Sequence, residues 1–118
     1  MIQMKTNDLI SLYVSYVETN GGKHRPVLIR KVSAQTVEAY KITSKYKNKS
    51  AYIRQQYYPI KEWQAAGLMK PSWVDIGKLY RFPKKGLTFK GIGHLSKRDQ
   101  NEIADFATAL KSKRKGKN

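Results

Sequence analysis

The sequence predicts a mainly β (α+β) fold: a small, partly closed antiparallel barrel capped by a C-terminal helix. Three observations carry this. Short apolar, β-branched runs recur along the chain, separated by Gly, Pro, Asn and Ser turn signals. One long stretch, near the C-terminus, has helical periodicity. The 118 residues suit a single domain with one core, expected over residues 1–110, with a basic tail at 111–118.

Residues 8–17 read as the first strand, with Ile10, Leu12, Val14 and Tyr16 on one face and Ser11 and Ser15 interrupting the other. Residues 19–25 read as a loop. Pro26 opens a second strand, Val27-Leu28-Ile29, where a missing N–H is tolerated. Ser33-Ala34-Gln35 is a short hairpin connection into a third strand at 36–42, which sets Val37 and Ala39 against Thr36, Glu38 and Tyr40. Residues 45–49 form a basic loop. Residues 51–58, rich in aromatic and β-compatible side chains, predict another strand, ended by Pro59. Residues 60–66 suit one or two helical turns stopped by Gly67. Residues 72–80 predict a strand weakened by Gly77, and 87–92 a last short one. The clearest helix starts at Ser96: Ser96-Lys97-Arg98-Asp99 is a capping-box variant, and Ile103, Phe106, Ala107 and Leu110 form one stripe for a core. The tail at 111–118 is too charged to bury and is expected to be disordered.

Charge narrows the function classes. Twenty-four Lys and Arg face eight Asp and Glu, a net charge of +16. Five of the basic residues lie in the tail, and the body stays strongly basic without them. Such a field attracts nucleic acid, an anionic membrane or an acidic partner protein. No run is long and apolar enough to span a bilayer, and the first residues carry no signal-peptide core, so a membrane partner is not expected. The absence of cysteine removes disulfides and thiolate metal sites and fits a reducing cytoplasm. The acids are scattered, with no Asp/Glu/His cluster of metal-site type, which argues against a metal nuclease. The glycine pair matches neither a P-loop nor a dinucleotide fingerprint. No cofactor is expected.

The segment Gly21-Gly22-Lys23-His24-Arg25-Pro26 delivers a basic cluster to the mouth of a strand. Glycines let backbone approach a phosphate closely, and Lys and Arg complement its charge. RNA can be cut without a metal when its own 2′-hydroxyl attacks the neighbouring phosphorus. That needs a group to take the 2′-proton, a cation for the phosphoryl charge and a donor for the leaving 5′-oxygen. Arg25 is the best cation: its planar fork spans two phosphoryl oxygens, and Pro26 restricts its backbone. A guanidinium is a poor proton donor. Alone, an Arg at a loop-to-strand junction is more often a solvated or carboxylate-paired side chain. The Thr43 hydroxyl, where a strand enters a basic loop, can donate to a phosphate oxygen, although threonine is also an ordinary strand residue. His24 and His94 offer a second option, a paired base and acid. His94 lies just before the helix cap, where a structural role fits better, and His24 stands beside Arg25. Of the many aromatic side chains, most suit core or dimer contacts. Tyr46 differs, because Lys45 and Lys47 flank it on a loop that also carries Lys49.

Read together, Gly21-Gly22-Lys23-His24-Arg25-Pro26-Val27-Leu28-Ile29, then Ile42-Thr43-Ser44, then Ile92-Gly93-His94-Leu95-Ser96 with Asp99 resemble the MazF/PemK toxins of toxin–antitoxin modules, in order and spacing over about residues 8–110. The resemblance implies an SH3-like barrel, a homodimer, and a metal-independent, sequence-specific endoribonuclease. Its substrate would be single-stranded RNA, its products a 2′,3′-cyclic phosphate and a 5′-hydroxyl. An acidic antitoxin protein would inhibit it, and DNA would be met only through that antitoxin. It places Arg25 on the family's catalytic arginine and Thr43 on its catalytic or phosphate-contacting threonine. His24, Ser44, Asp75 and Lys78 stand as further catalytic or substrate-binding candidates, and Lys23, Lys45, Tyr46, Lys47 and Lys49 as RNA-binding ones. One stretch departs: Asp75-Ile76-Gly77-Lys78-Leu79 keeps the family's Asp and Lys but lacks its Gln and hydroxyl positions, which weakens Asp75 as a base against a strand-end or interface carboxylate. Two other classes remain open: a non-catalytic SH3-like nucleic-acid-binding module, and a toxin on the same fold that poisons a topoisomerase.

Overall fold

The computed structural model describes residues 4–16 and 21–115; residues 1–3, 17–20 and 116–118 lie outside it, and so do the side chains of 14–16, 21–23 and 114–115. The candidate Lys23 side chain is therefore outside the described residues, as is the end of the basic tail. The elements run β1 (Asp8–Tyr16), β2 (Gly21–Val32), β3 (Thr36–Thr43), α1 (Ala51–Arg54), β4 (Tyr57–Pro59), β5 (Trp73–Pro83), β6 (Phe89–His94) and α2 (Lys97–Lys115). All strand pairings are antiparallel, in one six-stranded sheet ordered β4-β5-β3-β2-β1-β6. The fold is mainly β with a C-terminal helix, as the sequence predicts. Among the described residues the sheet does not close: β4 and β6 remain its two edges.

The central strands are apolar on both faces because the sheet buries both. On one face Leu9, Leu28, Ile42, Tyr58, Val74 and Leu95 pack with Ile103, Phe106 and Leu110 of α2. On the other, Ile10, Leu12, Val27, Ile29, Val37 and Ala39 form a second cluster, flanked by Phe82 and Phe89. Period-two alternation allots neighbours such as Val27 and Leu28 to opposite clusters. The Asp99 carboxylate, fully buried, ties α2 to the loop after β4: it accepts the Tyr58 O–H and the backbone N–H groups of Lys61 and Glu62, each of these last two at 2.9 Å. Ser96 Oγ caps the helix by accepting the Asp99 N–H at 3.2 Å. Burial pushes the Asp99 carboxyl up, but these hydrogen bonds outweigh it and hold it below the usual carboxylate range.

Three expectations change. Residues 21–25 are strand, not loop: each pairs with β1, from Tyr16↔Gly21 to Leu12↔Arg25. Pro26 sits within β2 at a point where only β1 pairs with it, since the β3 ladder begins at Val27↔Lys41. Residues 51–58 are not one strand. Ser50 Oγ accepts the Ile53 N–H at 3.3 Å and starts the single turn of α1, which leaves Tyr52 exposed; strand resumes only at Tyr57. At the other end, α2 runs through Lys115, past the start of the expected disordered tail, because its packed stripe reaches Leu110 and the exposed Lys111 and Lys113 suit a helix beyond it.

Candidate functional site

Strand alternation builds the site. Arg25 shares a face of β2 with Val27 and Ile29, and Lys41 and Thr43 share the face of β3 that carries Val37 and Ala39. The β2–β3 register runs Ile29↔Ala39, Leu28↔Tyr40, Val27↔Lys41. The ladder ends there, and two residues further along each strand stand Arg25 and Thr43, where β2 leaves β3.

There the two residues line one open cleft of about 470 Å³, together with the candidates His24, Ser44, Lys45 and Lys49. Five cations line it among the described residues (Arg25, Lys41, Lys45, Lys49 and Lys70), and no carboxylate does. The Thr43 hydroxyl is oriented: its oxygen accepts the Lys45 N–H at 3.1 Å, which leaves the O–H to donate into the cleft. His24 is exposed, with its ring 5.2 Å from that of Tyr13.

The far wall comes from residues 68–72, and two glycines set its position. Gly67 has φ +94°, and a Cβ there would stand 2.3 Å from the Ile92 carbonyl oxygen; a Cβ on Gly93 would stand 2.1 Å from the Ala66 carbonyl oxygen. Backbone thus lies directly on backbone between residues 66–67 and 92–93, which only glycine permits. Leu68 N–H then donates to the Trp63 carbonyl at 3.0 Å, and Ser72 Oγ to the Lys70 carbonyl at 3.0 Å, fixing Lys70 at the rim.

No protein-family model matches the sequence, and no curated protein matches it significantly. Among solved structures it is similar to the Mycobacterium tuberculosis toxin MazF-mt6, at 20% identity over 82% of this chain and 91% of that one, with a TM-score of 0.56. The chain has a MazF-like fold. At that identity the likeness establishes the architecture alone.

Within this MazF-like sheet several candidates stand apart from the cleft. Asp75 is in register with Lys41 and Tyr57, but its carboxylate accepts the Gly77 N–H at 2.9 Å and does not line the cleft. Burial, then the nearby Asp75, raise the Tyr57 phenol above its usual range. Lys78 lies on the β5 bulge, with Nζ over the Tyr80 ring at 4.8 Å. Tyr46 is stacked on Trp73 at 4.7 Å and 8°, and Arg54 lies over its ring at 5.7 Å, so its ring is already covered within the chain. Lys47 is exposed beside it and lines no part of the cleft. The two histidines do not meet. His24 contacts Tyr13, whereas His94 Nδ1 pairs with Asp8 at 2.7 Å; Asp8 and Tyr13 stand about 17 Å apart along β1. Among the described residues, no three His, Asp or Glu side chains form a group that could hold a metal ion. The sequence reading passed over Lys41, Lys70 and Ser72. Lys41 was legible, two residues before Thr43 and so on its face. Lys70 and Ser72 arrive by tertiary packing and leave no local signal.

Proposed function

We propose that this chain is the toxin of a toxin–antitoxin module, an endoribonuclease that cuts single-stranded RNA without a metal. The convergence of Arg25 and Thr43 in a cleft walled by Lys41, Lys45, Lys49 and Lys70 carries this reading. Those lysines hold the backbone phosphates flanking the cut. Arg25 spans the non-bridging oxygens of the scissile phosphate, where charge grows as the 2′-oxygen attacks phosphorus. The Thr43 O–H donates to the same group. His24, which lines the same cleft, supplies the imidazole that takes the 2′-proton. The new O–P bond closes a 2′,3′-cyclic phosphate, the P–O5′ bond breaks, and the departing oxygen takes a proton from solvent water to leave a 5′-hydroxyl. An acidic antitoxin protein would complement the same cations and so compete with RNA. In this reading the chain works as a homodimer in the cytoplasm, and meets DNA only through the antitoxin.

Incubation of purified protein with single-stranded RNA in EDTA tests this. The expected result is cleavage with 2′,3′-cyclic phosphate and 5′-hydroxyl ends. RNA bound in a salt-sensitive way yet intact after long incubation would assign the non-catalytic module instead, and growth arrest with intact message would favour a protein target such as a topoisomerase.

A further inference from the structure

Beside the cleft, on the same face of the sheet, lies a smaller hollow of about 180 Å³ lined by Leu12, Arg25, Val27, Lys41, Tyr80 and Phe82. Four of these side chains are apolar or aromatic. The Tyr80 and Phe82 rings lie 6.4 Å apart and 18° from parallel, in register with Ala39 and Val37 of β3. The other two are cations, and both also line the cleft. Arg25 therefore stands at the junction of two environments: a wide cationic groove on one side, an apolar aromatic hollow on the other.

A molecule that fills both must carry an anionic backbone with a flat, weakly polar group attached a short distance away. Single-stranded RNA repeats that arrangement at every nucleotide. The hollow is the right size for one ring: an apolar cavity of about 150 Å³ accepts benzene. Arg and Lys are donors with no acceptor, so the edge of the ring that meets them has to present carbonyl oxygens. Those two constraints favour a pyrimidine over a purine, and uracil over cytosine.

We infer that this hollow is a base-binding subsite, which takes the uracil of a nucleotide next to the scissile phosphate and makes Tyr80 a specificity-determining residue. The inference rests on the nuclease reading above. Phe82 and Tyr80, whose ring also carries Lys78 Nζ at 4.8 Å from outside the hollow, supply the aromatic surface, Leu12 and Val27 the apolar floor, and Lys41 and Arg25 the donors at the rim. Arg25 would then couple recognition to cutting, because a seated base places its own phosphate against the guanidinium.

The test maps 5′-hydroxyl ends on a long RNA of mixed sequence for the wild type, Tyr80→Ala and Tyr80→Leu. The leucine variant keeps most of the apolar volume and guards against loss of fold. Wild type is expected to favour uracil at one position beside the cut. Both variants should keep cutting while that preference falls by roughly tenfold, the scale of one lost base–aromatic stack, with the other positions unchanged. Unchanged preference in a folded variant would overturn the subsite alone. Variants that alter the oligomeric state and leave the preference intact would assign the hollow to a second copy of this chain, and overturn it too. No ends from the wild type would overturn the nuclease reading, and the subsite with it.

Discussion

The cleft makes a quantitative prediction about salt. Each cation that neutralises an RNA phosphate releases a condensed counterion, so affinity for a single strand falls with salt at a log–log slope of about −0.7 per contact. Arg25, Lys41, Lys45, Lys49 and Lys70 line the cleft; if all five engage phosphates, the slope is about −3.5. Raising monovalent salt from about 50 to 200 mM then weakens binding by roughly 100-fold. Replacing Lys45, Lys49 and Lys70 together with glutamine leaves two contacts, a slope of about −1.4, and a loss of only about sevenfold over the same range. Fluorescence anisotropy with a 2′-O-methyl single-stranded RNA, which cannot be cut, measures both slopes. A wild-type slope shallower than about −1, or a triple variant with an unchanged slope, would refute the assignment of this cleft as the phosphate track.

Other outcomes follow from the same geometry. Thr43→Val, which keeps the side-chain shape and removes the donor, should slow cleavage by about 100-fold while RNA affinity changes far less; single-turnover kinetics and anisotropy separate the two. Asp75→Asn should cut at close to the wild-type rate, because that carboxylate is turned onto the Gly77 N–H away from the cleft. Gly67→Ala should lower stability by about 2 kcal/mol or more in denaturant titration, from both the positive φ and the collision with Ile92. Asp99→Asn should cost about 3 kcal/mol, since the buried carboxylate accepts several hydrogen bonds at once. Its folded pKa lies below the unfolded one, so its contribution is complete above the unfolded value near 4 and is lost as pH falls through the folded value. Wild type should therefore lose stability on acidification more steeply than Asp99→Asn in the same titration.

What the sequence disclosed depends on how local each cause is. The alternation of Val37 and Ala39, the hairpin at 33–35 and the stripe Ile103, Phe106, Ala107, Leu110 are local patterns, and the structure follows them. Strand at 21–25 was hidden because pairing with β1, rather than the propensity of two glycines, decides it. The turn at α1 turns on one hydroxyl, Ser50, which outweighs the β-compatible composition that follows. Arg25 and Thr43 of the candidate site stand out in the sequence by their chemistry and by the family resemblance, and tertiary structure brings them to one cleft. The place of Tyr46 was not legible. Its flanking lysines suggest an open platform, and nothing nearby in sequence announces that Trp73 covers its ring. Lys70 likewise depends on the backbone contact between residues 66–67 and 92–93, which links segments far apart in the chain.

In the proposed mechanism one guanidinium, Arg25 of β2, lines the same cleft as Thr43 and stabilises the charge on a ribose-linked phosphate. The most direct measurement is single-turnover cleavage of a defined RNA in EDTA by wild type, Arg25→Lys and Arg25→Ala, with folding checked by circular dichroism. Loss of about 100-fold or more in the alanine variant, with partial recovery in the lysine variant, is the predicted result. Wild-type rates in folded Arg25→Ala would contradict it.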